Sequence, residues 1–142
     1  MSEWPAAEND KKCLLVIDDD QTLRDSLRMI LQSSFHVLTV ESVDSAAELL
    51  KSGQPDAIIL DLNMPEKDGL QGLREIHPSH PEVPILMLTG YADNQTIEEA
   101  LNLGAAGIMR KSFELINLVS QITEMTNPAV VPSATMIRSA SH

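Results

Sequence analysis

The stretch Cys13–Asp20, CLLVIDDD, decides the fold because an unbroken apolar run leads directly into three aspartates. A short continuous apolar run is typical of a parallel strand that is covered on both faces. Five strand candidates occur along the chain, and four of them are nearly continuous in apolar character. The predicted strands are Cys13–Ile17, Val37–Val40, Ala57–Leu60, Ile85–Leu88 and Gly107–Met109.

Segments with the apolar period of an amphipathic helix follow each of these strands. The predicted helices are Thr22–Leu31, Val43–Lys51, Leu70–Ile76, Thr96–Leu103 and Phe113–Met125. Three boundary features support them: Gly53 as a cap after the second helix, a capping box of Thr96 and Glu99, and Ser112 as the N-cap of the last helix.

Five strand–helix pairs in strict alternation predict an α/β domain with right-handed crossovers. One open parallel sheet with helices on both faces accommodates them in residues 11–126. Residues 1–10 are expected to form a mobile N-terminal extension. Residues 127–142 are rich in prolines, serines and small side chains without periodicity, so we expect a disordered tail or a linker there.

The composition narrows the class of function. The formal net charge of −11 argues against a nucleic-acid partner, because the phosphate backbone requires a basic face. No apolar stretch approaches the roughly 20 residues of a membrane helix, so no membrane partner is expected. The single cysteine, Cys13, excludes an internal disulfide and fits a reducing compartment. We therefore expect a cytoplasmic protein.

Polar residues that could bind a ligand or take part in a reaction follow four of the predicted strands. Asp18–Asp20 follow the first strand, Asp61 the third, Thr89 the fourth and Lys111 the fifth, whereas the second strand ends at Glu41. The carboxyl ends of parallel strands lie along one edge, where open α/β sheets bind ligands. The flavodoxin-like strand order 2-1-3-4-5 would make strands 1, 3, 4 and 5 neighbours and leave strand 2 at the margin. That order fits the positions of the polar residues.

A cluster of carboxylates of this kind points to phosphoryl chemistry. Carboxylates forced together repel each other unless a cation neutralises them, and Mg²⁺ with its oxygen ligands does so. A carboxylate beside such an ion is a competent nucleophile toward phosphorus. The ammonium of Lys111 and the hydroxyl of Thr89 would stabilise the oxygens of the transferred group.

Four motifs together resemble the receiver domains of response regulators in two-component systems. They are Leu15–Asp20 (LVIDDD), Asp61–Pro65 (DLNMP) with Asp68-Gly69, Leu88–Gly90 (LTG), and Lys111. The resemblance covers roughly residues 11–125. It implies a flavodoxin-like (βα)5 fold and a phospho-acceptor switch rather than an enzyme.

The resemblance also implies a role for each matched residue. Asp61 would be the phosphorylated aspartate, Thr89 the switch hydroxyl, and Lys111 the lysine that contacts the phosphoryl group. The implied Mg²⁺ site has Asp19 and Asp61 as direct ligands, the main-chain carbonyl of Asn63 as a further ligand, and Asp18 acting largely through water. Asp20 receives no fixed role.

The implied partners are a sensor histidine kinase or a phosphotransfer protein, which would supply the phosphoryl group. A second copy of the chain or an output partner would bind the face formed by residues 90–125.

Two departures from the receiver pattern affect the switch. The lysine of the family is usually followed by proline, but Ser112 follows Lys111. A cis bond before a residue other than proline costs about 2.5–4 kcal/mol, so we predict a trans Lys111–Ser112 peptide. The residue three before the lysine is usually aromatic, but here it is Ile108.

Two alternatives remain open at this point. Asp18, Asp20 and Thr22 also resemble the first motif of haloacid-dehalogenase-type phosphatases, in which the leading aspartate is the nucleophile. That family needs an acidic pair after the lysine, and only Glu114 and Glu124 follow Lys111. The second alternative is a binding module that kept the fold and lost the switch, as the departures at residues 108 and 112 allow.

Overall fold

The computed structural model describes Trp4 and residues 11–90, 93–111 and 115–126. Strands and helices alternate along this part of the chain, and a short 3-10 turn, His77–Ser79, follows the third helix. The strands are β1 Lys12–Ile17, β2 Phe35–Val40, β3 Ala57–Asp61, β4 Ile85–Thr89 and β5 Gly107–Arg110. The helices are α1 Gln21–Leu31, α2 Val43–Leu50, α3 Gly69–Ile76, α4 Asn94–Asn102 and α5 Leu115–Thr126.

The strands form one parallel sheet in the order β2-β1-β3-β4-β5. Ile17, the last residue of β1, pairs with Leu60, so the residues that follow these two lie side by side. Thr89, the last residue of β4, pairs with Arg110 of β5. The predicted strand order is confirmed, and the ends of β1, β3, β4 and β5 lie along one edge of the sheet.

Apolar side chains cover both faces of the sheet. Successive residues of β3 alternate between two buried clusters, with Ile58 and Leu60 on one face and Ala57 and Ile59 on the other. The first face packs against α2, α3 and α4, and the second against α1 and α5. This alternation explains why the strands are apolar throughout, because side chains on either face of the sheet pack against helices. The doubly wound α/β architecture is confirmed.

Two helices begin at aspartate caps that the sequence did not single out. Asp93, not Thr96, is the N-cap of α4, because its carboxylate accepts the main-chain N–H of Thr96 at 2.8 Å. The predicted capping box at Thr96 is therefore wrong, and Asp93 provides the same interaction one turn earlier. Asp20, which had no predicted role, caps α1 by accepting the N–H groups of Thr22 and Leu23.

Gly53 is not the left-handed cap of α2 that the sequence predicted. The helix ends at Leu50, and Gly104 is the residue with positive φ among those described, at 108°. Gly53 instead allows the indole of Trp4 to pack closely against the main chain, because a Cβ on residue 53 would lie 2.6 Å from the indole nitrogen. The same indole N–H donates a hydrogen bond to Ser52 Oγ at 3.2 Å.

The predicted limits of the domain fall mostly outside the described residues. Trp4 is the described residue of the predicted extension, and it packs partly buried against the core. The rest of residues 1–10, Ser112 as the predicted cap of α5, and residues 127–142 all lie outside the described part of the chain. None of the described helices has the length and apolar character needed to cross a bilayer.

Candidate functional site

Three carboxylates meet where β1 and β3 end. Asp18 follows β1 directly, Asp61 is the last residue of β3, and the pairing of these strands places the two beside each other. One ligand atom from each of Asp18, Asp19 and Asp61 lies within 4.8 Å of the others. Asp18 and Asp61 are each 1% exposed, whereas Asp19 is exposed. The cluster therefore has a buried floor and an open side.

Main-chain groups hold both buried carboxylates in place. The N–H of Asp20 donates to Asp18 Oδ1 at 2.9 Å, and the N–H of Asn63 donates to Asp61 Oδ1 at 3.0 Å. In each case the donor lies two residues after the aspartate, which is the pattern of an Asx-turn. Arg24 of α1 supports the first turn by donating to the main-chain oxygen of Asp18 at 2.7 Å.

Lys111, the residue directly after β5, supplies positive charge to the cluster. Its Nζ lies 3.1 Å from Asp61 Oδ1 and 3.4 Å from Asp18 Oδ2. Its main-chain N–H donates to the carbonyl of Thr89 at 2.7 Å, which ties the start of the β5–α5 connection to the end of β4. Burial alone would lower the pKa of Lys111, but the hydrogen bond and charge of Asp61, with the charge of Asp18, raise it above its ordinary value. The lysine therefore stays charged.

The negative charge of the cluster exceeds what Lys111 neutralises. Burial raises the pKa of Asp61 most strongly, and the nearby charge of Asp18 adds to this. The hydrogen bonds from Asn63 and Lys111 act in the opposite direction. Within the described part of the chain, the buried Oδ2 of Asp61 accepts no hydrogen bond, and the buried Oδ2 of Asp18 has only the Lys111 ammonium at 3.4 Å. Buried anionic oxygens without donors require a cation, and oxygen-only donor sets suit Mg²⁺. The residues thus fit a magnesium ion.

Thr89 occupies the end of β4 with its side chain 2% exposed. Its Oγ1 donates a hydrogen bond to the side-chain Oδ1 of Asn63 at 3.1 Å. The sequence assigned only the main-chain carbonyl of Asn63, so this side-chain contact was missed. A cleft of about 720 Å³ opens beside these residues, and Asp19, Asn63 and Asp93 are among those that line it. The exposed carboxylate of Asp19 therefore faces this cleft.

The structure brings all the predicted site residues to one edge of the sheet, where Asn63 joins Asp61 and Thr89. Ile108 lies in β5 and is 7% exposed, as part of the cluster between the sheet and α2–α4. The Lys111–Ser112 peptide includes a residue outside the described ranges, so its trans geometry stays a prediction.

Comparison with curated proteins finds a response regulator among the relatives of this chain. Response regulator MprA of Mycobacterium ulcerans (strain Agy99) is 37% identical over 112 residues, which is 77% of this chain and 47% of MprA. Protein CcdB of Bacillus subtilis (strain 168) is 31% identical over 114 residues, which is 79% of this chain and 95% of CcdB. The chain thus spans nearly all of CcdB and about half the length of MprA.

Solved structures share the same architecture. The chemotaxis protein CheY4 of Vibrio cholerae superposes with a TM-score of 0.77 at 25% identity, covering 82% of this chain and 99% of that one. A LuxR-family two-component response regulator from Aurantimonas sp. SI85-9A1 has a TM-score of 0.80 at 21% identity, covering 92% and 95%, and shows the likeness of fold.

The model of the response regulator receiver domain matches residues 14–123, which include every residue of the carboxylate cluster, Thr89 and Lys111. The match, the relatives and the strand order agree with one another, and together they show that the chain belongs to the family of response regulator receiver domains.

Proposed function

We propose that Asp61 of this receiver domain accepts a phosphoryl group from a sensor histidine kinase or a phosphotransfer protein. Receiver domains act in phosphorelays as phospho-acceptor modules. The observation that carries the assignment is the position of Asp61, a buried carboxylate 3.1 Å from the ammonium of Lys111 and within the acidic cluster. The domain would act as a switch that is set by the modification, not as an enzyme that turns over a substrate.

Receiver domains bind Mg²⁺ at an acidic pocket, and the donor set supports such a site here. The proposed ligands are Asp18, Asp19, Asp61 and the main-chain carbonyl of Asn63. When bound, the ion neutralises the carboxylates and supplies positive charge to the phosphoryl oxygens. The buried Oδ2 of Asp61, which lacks a hydrogen-bond donor among the described residues, supports this assignment.

Each side chain of the site would have a separate role in phosphoryl transfer. A carboxylate oxygen of Asp61 forms a bond to phosphorus while the bond from phosphorus to the donor's leaving atom breaks. That atom is an imidazole nitrogen of phosphohistidine or a carboxylate oxygen of acetyl phosphate. The Lys111 ammonium lies where it can attract a phosphoryl oxygen, and Thr89 offers one hydroxyl proton. The main-chain N–H of Asn63 donates to Asp61 Oδ1 and so orients the carboxylate for attack on phosphorus.

The output would pass from Thr89 to the face formed by residues 90–125, where a second copy or an output partner binds. A cytoplasmic location is proposed with this role, since histidine kinases deliver the phosphoryl group there.

The acceptor assignment is tested by labelling. Purified protein incubated with Mg²⁺ and acetyl phosphate should gain one acid-labile phosphoryl group, and Asp61→Asn should lose it. The matched control is Asp25→Asn, an exposed aspartate of α1, which should retain the label. Mass spectrometry that finds the label on another residue would refute the assignment, and a label on Asp18 would support the phosphatase alternative.

Beryllium fluoride, which mimics the acyl phosphate, separates a working receiver from a module that has lost its switch. The wild-type protein should bind it in the presence of Mg²⁺. Absence of both the label and this binding would establish the inactive alternative.

A further inference from the structure

Asn63 contacts the site through two separate groups. Its main-chain N–H donates to Asp61 Oδ1 at 3.0 Å, and its side-chain Oδ1 accepts the hydroxyl of Thr89 at 3.1 Å. Thr89 is buried at the end of β4, whereas Asn63 is exposed at the rim of the cleft. The side chain of one residue in the β3–α3 loop therefore restrains the hydroxyl that ends the neighbouring strand.

The hydroxyl of Thr89 has a single proton to donate. In the structure that proton is directed to Asn63 Oδ1, so it is not available to an oxygen of a group on Asp61. A phosphoryl group on Asp61 must therefore break the Thr89–Asn63 hydrogen bond before it can form its own. A ligand shifts an equilibrium only by its differential interaction with the two states, and this bond favours the unmodified one.

We propose that Asn63 is a positioning residue whose side chain restrains Thr89 in the unphosphorylated state. The restraint lowers the affinity of the domain for a phosphoryl mimic on Asp61. The proposal rests on the function proposed above for Asp61 and Thr89. Asn63 thereby has opposite effects through its two parts. Its main chain holds the acceptor carboxylate and offers a metal ligand, and its side chain opposes the response to phosphorylation.

Replacement of the side chain alone tests this role. Asn63→Ala removes the side-chain Oδ1 and keeps the main-chain N–H and carbonyl, and its affinity for Mg²⁺ alone is measured first so that Mg²⁺ is saturating in every titration. The affinity for beryllium fluoride in saturating Mg²⁺, measured by isothermal titration calorimetry, should rise about 2- to 10-fold, the range expected for one net hydrogen bond. Asn117→Ala, an exposed asparagine of α5, is the matched control and should bind as the wild type does.

A double-mutant cycle then identifies the partner. In a Thr89→Val background, which lacks the hydroxyl, Asn63→Ala should no longer change the affinity. In a Thr89→Ser background, which restores a hydroxyl, the gain should return. An equal gain with and without the hydroxyl, no gain, or a loss in Asn63→Ala would each overturn the restraint. Failure of the wild type to bind beryllium fluoride would instead overturn the proposed function itself.

Discussion

Burial of the negatively charged carboxylate of Asp61 opposes folding when no metal ion is bound. Burial raises the pKa of this carboxyl above its ordinary value, against the effects of Asn63 and Lys111. In the unfolded chain the carboxyl titrates near the ordinary aspartate value of about 3.9. The folded protein thus binds this proton more tightly than the unfolded chain does. Stability from this group is fully present below the ordinary pKa and is lost as the pH rises through the raised one.

We therefore predict that Asp61→Asn stabilises the protein in magnesium-free buffer at pH 7. The expected gain in the free energy of unfolding is about 1 kcal/mol, the scale for removing a buried acceptor that lacks a partner. Urea denaturation with a chelator at pH 7 and pH 4 measures it, and the gain should be smaller at pH 4. Asp25→Asn, which is exposed, should show neither effect. A variant less stable than the wild type at pH 7 would contradict this reading of the charge balance.

The residues of the site differ in how far the sequence could locate them. Asp18, Asp61, Thr89 and Lys111 each follow a predicted strand, and parallel strands end at one edge, so their proximity follows from strand order alone. The contact between the Asn63 side chain and Thr89 depends on how the β3–α3 loop turns back toward β4. Apolar periodicity contains no information on that turn, and the contact could not be predicted.

At the level of single elements, the adjacent residues Asp19 and Asp20 belong to different structures. Asp20 begins α1 and satisfies two of its free N–H groups at 2.9 and 3.3 Å. Asp19 contributes instead to the carboxylate cluster at the end of β1. One aspartate therefore supports a helix, and its neighbour is available to a metal.

This separation predicts reciprocal effects of two substitutions. Asp20→Ala should lower the free energy of unfolding by about 1 kcal/mol, as loss of an N-cap does, and leave the affinity for Mg²⁺ near that of the wild type. Asp19→Ala should weaken Mg²⁺ binding with little effect on stability. Each variant is the control for the other in a metal titration and a urea titration. Equal losses of Mg²⁺ affinity would refute the ligand assignment.

The boundaries of the elements were less predictable than their order. Five apolar strand segments, each followed by a segment with helical periodicity, predicted the sheet and the helices on its two faces. Burial on both faces requires apolar side chains throughout a strand. The start of α4 was misplaced because Asp93 and Thr96 are both good caps, and the chain direction before the helix decides between them. Gly53 was misread because its close neighbour, Trp4, lies far away in sequence.

For the molecule as a whole, the proposed response to phosphorylation would have two structural routes out of the site, one toward α4 and one through β5. One begins at Thr89, which ends β4 and leads toward α4. The other would pass through residue 108 of β5, where the family usually has an aromatic ring. Ile108 is buried against the core, short, and stiff at χ1, so its inward and outward positions differ little in exposure. The first route should therefore dominate.

We predict that Ile108→Val leaves phosphorylation and the resulting change around residues 89–94 nearly intact, whereas Thr89→Ala uncouples the two. Amide exchange with and without beryllium fluoride, in saturating Mg²⁺, compares the variants. Valine is the matched change at Ile108 because it removes one methylene and keeps the β-branch. If Ile108→Val abolished the response as fully as Thr89→Ala, residue 108 would be part of the switch.

The placement of Trp4 on Gly53 gives the protein a built-in optical probe. It is the sole tryptophan of the chain, so the indole emission comes from one place. That place is the connection between α2 and β3, at the end of the sheet opposite Asp61. Release of the indole into water on denaturation shifts its emission to longer wavelength, whereas chemistry at Asp61 occurs far from the chromophore. Fluorescence can thus follow the integrity of the fold separately from the state of the phosphorylation site.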